Sequence, residues 1–153
     1  MIGALEEARK RGAFTASLAC NRGSAVSHVA DAAIEVVVGP EFIAGSTRLN
    51  SGTAQKLVLN MISTLVMVKL GKTYGNLMVD LRATNEKLQA RSQRTVQHAT
   101  GVSAQEAAAA LDSVGGSVKA AILVLLTGID AGQAKGALEE AGGFLRRAIE
   151  NQK

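Results

Sequence analysis

The sequence predicts an α/β fold followed by a small all-α helical bundle, and three observations carry that expectation. Helix pattern alternates with strand pattern through residue 38. The second strand pattern, Ile34-Glu35-Val36-Val37-Val38, is β-branched on both faces apart from Glu35, as a parallel strand covered on two sides requires. After Gly101 the composition shifts to alanine and glycine with repeated helix caps.

Taken in order, residues 2–10 form a short helix pattern, 14–20 a strand, 24–30 a helical turn or short helix, and 33–38 the second strand. This is the pattern of the closing part of a doubly wound sheet, in which ligands bind beyond the carboxyl ends of the strands. Two strands cannot make an independent parallel sheet buried on both faces, because their outer edges stay unpaired. The chain therefore reads as part of a larger fold. Residues 53–70 read as a helix with apolar positions at Leu57, Met61, Ile62, Leu65 and Val68 and between them, enclosed by sheet on one side and by another subunit on the other. Gly71 ends it, residues 75–81 make an irregular or short extended connection, and a long polar helix follows over about 83–99. Ser103-Ala104-Gln105-Glu106 is a capping box, Ser117 and Asp130 are further N-caps, and Gly115-Gly116, Gly128 and Gly142-Gly143 separate three or four short helices. The expected domains are an α/β part over 1–82, a connecting helix over 83–100 and a helical bundle over 101–153.

Composition bounds the function. The 153 residues, 47% of them hydrophobic, suffice for one domain with a core, or one domain and an appendage. Cys20 is the single cysteine and forms no internal disulfide. No charged-then-apolar leader is recognisable, so the cytoplasm is the expected compartment. The most apolar segment, 57–70, is interrupted by Asn60, Ser63, Thr64 and Lys69 and falls short of the roughly 20 residues a bilayer requires, so no membrane is expected. The net charge of +4 is modest, with Lys69, Lys72, Arg82, Lys87, Arg91 and Arg94 outnumbering Asp80 and Glu86 locally. No tryptophan and 3% aromatic residues leave little to stack bases, and nucleic acid is not an expected partner.

The loop from Gly39 to Lys56 holds the candidate site. It carries one acid (Glu41), four hydroxyls, two cations (Arg48, Lys56) and flexible glycines, and it starts a helix. Hydroxyls and backbone N–H groups at a helix N-terminus suit a phosphate or carboxylate; the same Ser51 or Thr53 equally suits a plain helix cap. Sharper motifs are absent. The loop lacks the Gly-Lys-Ser/Thr ending of a nucleotide P-loop, and no Gly-x-Gly-x-x-Gly follows a strand. Ser27, His28 and Asp31 lie close in sequence, but a triad needs tertiary geometry. His28 and His98 lack the neighbours of a metal site, so no metal is expected.

The run from Gly39 to Lys56, with Leu57-Val58-Leu59-Asn60-Met61, the segment from Gly71 to Asp80, Ala83-Thr84-Asn85-Glu86-Lys87-Leu88 and Cys20-Asn21-Arg22-Gly23-Ser24-Ala25-Val26-Ser27, closely resembles the N-acetylmuramic acid 6-phosphate etherases, over their carboxyl half. The resemblance implies a sugar isomerase (SIS) type doubly wound parallel sheet, a tail similar to a ubiquitin-associated bundle, and a homodimer. It is also similar to the animal glucokinase regulatory protein, which binds sugar phosphates without catalysis. The implied activity is removal of the lactyl ether from N-acetylmuramic acid 6-phosphate, giving N-acetylglucosamine 6-phosphate and D-lactate in recycling of cell-wall sugars, without a cofactor. A base removes the proton beside the open-chain aldehyde, an acid helps lactate leave, and water adds to the unsaturated intermediate. The two glutamates that do this lie in the half not matched here, so no catalytic residue is assigned and this chain alone is expected to be inactive. Ser46, Thr47, Arg48, Thr53, Gln55 and Lys56 match the signature loop and line or support a sugar phosphate pocket, Asn85 and Lys87 match a helix that covers it, and Glu41 organises the site. Each of these also suits capping or loop bracing. Asn50 stands where the family commonly has lysine and Arg22 where a proline is frequent. The alternatives are a non-catalytic sugar phosphate-binding module and a truncated structural half that pairs its open sheet edge with itself or with a separate amino-terminal half.

Overall fold

The computed structural model describes residues 1–81 and 83–153; Arg82, counted above among the local cations, lies outside the described residues. Its elements are α1 (Ile2–Lys10), β1 (Ala16–Ala19), β2 (Ala32–Glu35), α2 (Asn50–Lys69), β3 (Thr73–Tyr74), β4 (Leu77–Met78), α3 (Glu86–Thr100), α4 (Ala104–Ser113), α5 (Val118–Thr127), α6 (Ala131–Glu140) and α7 (Leu145–Glu150). Helix dominates, with two small two-stranded sheets, a mixture consistent with an α/β fragment followed by helices. The chain divides into two compact units, Met1–Thr64 and Leu65–Lys153, the division falling inside α2.

In the first unit β1 and β2 pair in parallel, with Ala16 opposite Ala32 and Leu18 opposite Ile34. Both strands are shorter than their sequence patterns. The ladder ends where Val36 N–H donates to the Ala19 carbonyl at 2.9 Å; β1 stops there, and Val37 is 55% exposed. Residues 24–30 form turns and no helix, because the Ser24 hydroxyl bonds the Ser27 hydroxyl and accepts from Ser27 N–H in place of a helical ladder. Among the described residues of this unit, Ala19 is the one hydrophobic residue that is fully buried. Helix α2 has no fully buried residue, against the expectation of a helix enclosed on two sides: the described residues cover it only partly, leaving Val58 and Met67 half-buried.

The second unit holds the core, built on Val79, Val96, Ile122, Leu123, Leu138 and Leu145 among others. The connection after α2 is ordered as a tight hairpin, β3 pairing antiparallel with β4 through Tyr74 and Leu77. Helix α3 is capped by Asn85, whose side-chain oxygen accepts from Leu88 N–H at 3.0 Å, and closed by Gly101 at φ 78°. The capping box at the start of α4 forms in full: Ser103 Oγ accepts from Glu106 N–H at 3.3 Å and the Glu106 carboxylate accepts from Ser103 N–H at 2.9 Å.

An internal repeat, not apparent from the caps alone, organises the four short helices. Ser103 through Ile122 and Asp130 through Ile149 superpose in sequence at an offset of 27 residues. Each copy runs from an N-cap through a helix, a Gly-Gly turn and a second helix. The buried positions correspond: Ala107 with Ala134, Leu111 with Leu138, Val118 with Leu145, Ala121 with Ala148, Ile122 with Ile149. So do the turns. Gly115 and Gly116 have φ of 62° and 80°, Gly142 and Gly143 of 65° and 81°. The second glycine of each pair donates to the carbonyl five residues back, Leu111 at 2.8 Å and Leu138 at 2.7 Å, which is the Schellman way of closing a helix.

Candidate functional site

The loop between β2 and α2 is held by its own acid. Glu41 reaches the start of α2, where its carboxylate accepts from Asn50 N–H at 3.0 Å and Ser51 N–H at 2.9 Å. The Asn50 side-chain amide donates to the Pro40 carbonyl at 2.8 Å, and Ser46 N–H and Arg48 N–H donate to Ile43 and Ser46 carbonyls at 3.0 and 2.9 Å. Cys20 S–H donates to the Ser51 carbonyl at 3.7 Å. The N–H donors, Ser51 first and Asn50 second, hold the Glu41 carboxyl below the usual carboxylate range. Two donors that sequence reasoning offered to a ligand are therefore already satisfied. Helix α2 begins three residues before Thr53, and neither Ser51 nor Thr53 supplies the cap.

The expected binding residues are only partly brought together. An open hollow of about 470 Å³ at the amino end of α2 is lined by Val38, Leu49, Asn50, Thr53, Ala54 and Leu57. Thr53 is the one expected residue among them. Thr47, Arg48, Gln55 and Lys56 lie exposed on the loop and the first turns of α2, and Ser46 is half-buried. Among the described residues Arg48 and Lys56 have no carboxylate within ion-pairing distance. In the second unit Asn85 serves as the α3 cap, while Lys87 joins Arg91, Arg94 and His98 along a groove of about 500 Å³. Their spacing of four, three and four residues keeps them on one face of the helix, a positive stripe suited to an anion. Lys72, counted with these cations from sequence, pairs instead with Asp80 at 2.9 Å.

A second acid, Glu35, performs a task that sequence reasoning missed. From the end of β2 its carboxylate accepts from Gly23 N–H at 3.0 Å and Ser24 N–H at 3.1 Å, ordering the loop beyond the carboxyl end of β1. The Ser27 hydroxyl, then the Gly23 and Ser24 N–H groups, lower its pKa. The available signal was a lone acid in a β-branched strand beside a glycine-serine turn. Ser27, His28 and Asp31 do not form a triad: Ser27 bonds Ser24 at 2.6 Å, whereas Asp31 accepts from Thr15 N–H and Oγ1 at 2.8 Å and pairs with Arg9 at 3.0 Å. Thus Glu35 and Glu41 are both stabilised as anions by donors. A general acid or base working near neutral pH needs the opposite tuning. No group of three or more His, Cys, Asp or Glu suited to a metal occurs among the described residues, and no single described helix is long and apolar enough to cross a membrane.

Comparison with known proteins decides the relationship. Aligned with a protein of Rubrobacter xylanophilus named N-acetylmuramic acid 6-phosphate etherase, 62% of 125 residues are identical, covering 82% of this chain and 42% of that protein. The chain is homologous to the carboxyl-terminal part of the N-acetylmuramic acid 6-phosphate etherases. Etherases of that name from Streptomyces coelicolor and Geobacillus thermodenitrificans agree, at 62% over 125 residues and 56% over 126, each covering 82% of this chain and 40% and 43% of the respective protein. The chain thus spans about two-fifths of the length of the etherases it matches. No family model matches it.

Proposed function

We propose that this chain is the carboxyl portion of a lyase that cleaves the D-lactyl ether of N-acetylmuramic acid 6-phosphate to N-acetylglucosamine 6-phosphate and D-lactate, in carbohydrate metabolism that recycles peptidoglycan in the cytoplasm. The observation that carries this reading is the identity of up to 62% with etherases over 82% of the chain. In this reading β1 and β2 are strands of an SIS-type doubly wound sheet, the four short helices are a bundle of the ubiquitin-associated kind, and the assembled enzyme is a homodimer. The β2–α2 loop supports the sugar phosphate: Glu41 fixes the loop's backbone, and Ser46, Thr47, Arg48, Thr53, Gln55 and Lys56 present hydroxyls, an amide and two cations around it. Asn85 and Lys87 act from α3.

The chemistry divides accordingly. The ring-opened aldehyde acidifies the neighbouring C–H; a base takes that proton, the C–O bond to lactate breaks as an acid protonates the leaving oxygen, and water then adds across the new double bond. In this reading the base and acid belong to the part of the etherases this chain does not span, and Glu35 and Glu41 here, held as anions by donors, organise loops. D-lactate release is the test. The purified chain supplied with N-acetylmuramic acid 6-phosphate is expected to release none, and the chain mixed with the amino-terminal part of an etherase is expected to release it. Release by the chain alone overturns the division of labour; silence in the mixture overturns the lyase reading.

A further inference from the structure

We propose that the hollow between α5 and α6 is a binding site for a small carboxylate that carries an apolar body. It lies wholly within the second unit and does not rest on the reading above. The 27-residue repeat reaches further back than the four short helices. Helix α3 ends as α5 does: the Thr100 and Thr127 hydroxyls donate to the Val96 and Leu123 carbonyls, each at 2.7 Å, and Gly101 and Gly128 close the helices at φ 78° and 76°. The α3–α4 pair is thus the earlier copy of the α5–α6 pair, and each copy holds a hollow. Eight of the ten residues lining the first hollow fall, at that offset, on residues lining the second.

The differences between the copies fit the second hollow to a ligand. In the first, of about 510 Å³, Gln93 Nε2 donates to the Ala104 carbonyl at 2.6 Å and ties the two helices together. Ala120 and Ala131 stand at those positions in the second copy, where no side chain can make that bond, and the hollow widens to about 750 Å³. That volume is within the ~300–1,000 Å³ of typical ligand pockets. Val114, Ala120, Ala131 and Leu138 give it an apolar lining. The charge changes as well. Among the described residues the first hollow is lined by the acids Glu86 and Asp112 and by no cation. The second keeps one acid, Glu139, and gains Lys119 and Lys135 in place of Ser92 and Ala108. Lys119 Nζ donates to the Gly143 carbonyl at 3.0 Å and faces Asp80 at 3.8 Å, and an ammonium has a third N–H to give. Lys135 meets Glu139 only at 3.9 Å, an exposed pair worth little, so its ammonium is able to turn to a ligand. Two ammonium groups beside an apolar lining suit a carboxylate head, held by charge-assisted hydrogen bonds, on a body that covers the alanines and Leu138.

Titration of the full chain with hexanoate, followed by nuclear magnetic resonance of the backbone amides, tests the site. Saturable shifts are expected at Ser117, Gly142 and Gly143, whereas acetate, the head alone, and hexylamine, the body with the opposite charge, should cause none. Ala120→Gln installs the residue that the first copy carries and should abolish the shifts. Lys135→Gln, at a position 86% exposed, should weaken binding about three- to tenfold. Gln93→Ala removes the bridge of the first copy but supplies no cation, and should create no second site. Circular dichroism checks that each variant keeps its helices, and Lys135→Gln carries the test should Ala120→Gln fail to fold. Absence of saturable shifts at these residues, equal shifts with acetate or hexylamine, shifts centred on residues 57–70, or unchanged affinity in Lys135→Gln would each overturn the proposal.

Discussion

Gly71→Ala tests how the end of α2 is built into the second unit. Gly71 has φ +68°, and the helix closes there as a Schellman turn, with Lys72 N–H donating to Met67 and Gly71 N–H to Val68, both at 3.0 Å. A left-handed conformation costs a non-glycine residue roughly 1–2 kcal/mol. An added Cβ also meets the Gly143 carbonyl oxygen and the Phe144 ring, all at 3.1 Å. Neither neighbour yields freely: the Gly143 carbonyl accepts from Lys119 Nζ at 3.0 Å, and Arg147 lies over the Phe144 ring at 4.5 Å. Overpacking of this kind costs about 1–3 kcal/mol, for a total of roughly 2–5 kcal/mol. Gly128→Ala is the control, because Gly128 has φ +76° with nothing within 4 Å of its Cβ position; it should lose only the conformational part. The entropy that alanine removes from the unfolded chain is the same in both and cancels. Urea unfolding followed by far-ultraviolet circular dichroism, with equal slopes, should place Gly71→Ala at least about 1 kcal/mol below Gly128→Ala. Equal losses would refute the packing argument, and the loss in Gly71→Ala should shrink in a Lys119→Met background that frees the Gly143 carbonyl.

Other outcomes follow from burial, caps and charge. Leu123→Ala, at a fully buried position, should cost about 2–5 kcal/mol in the same assay, whereas Met61→Ala, 57% exposed, should cost under about 1 kcal/mol until a partner covers it. Ser103→Ala removes one side of the capping box and should cost about 1 kcal/mol, read as earlier unfolding of the helical unit. Asp31, Glu35 and Glu41 all titrate lower in the fold than in the unfolded chain, chiefly through donors from Thr15, Ser27 and Ser51 respectively. Each therefore contributes stability that is complete above the unfolded pKa, about 4, and is lost as pH falls through the folded value. Glu41→Gln should flatten the dependence of stability on pH on the acid side, and an unchanged slope would show that the Glu41 bonds contribute nothing.

Local chemistry determined much of this protein from sequence alone. The caps at Ser103, Ser117 and Asp130 act within three residues, so composition located the starts of α4 to α6, whereas α3, expected from about residue 83, begins at Glu86 behind the Asn85 cap. The resemblance of the 39–56 loop and its flanks pointed to the etherases whose carboxyl-terminal part the chain matches, because long runs of specific residues survive without their tertiary context. Tertiary structure alone decided the rest. That Glu41 fills the first N–H groups of α2 depends on a carboxylate nine residues before Asn50 folding back onto the helix, and that Glu35 orders the 23–27 loop depends on β1 and β2 pairing; neither distance is periodic. The extent of each strand was set by its neighbour, so β2 stopped at Glu35 although valines continue the pattern. Burial, too, belongs to the assembled fold: the same apolar richness is core in α5 and open surface on α2, because hydrophobicity states a need for cover and only packing shows whether this chain meets it.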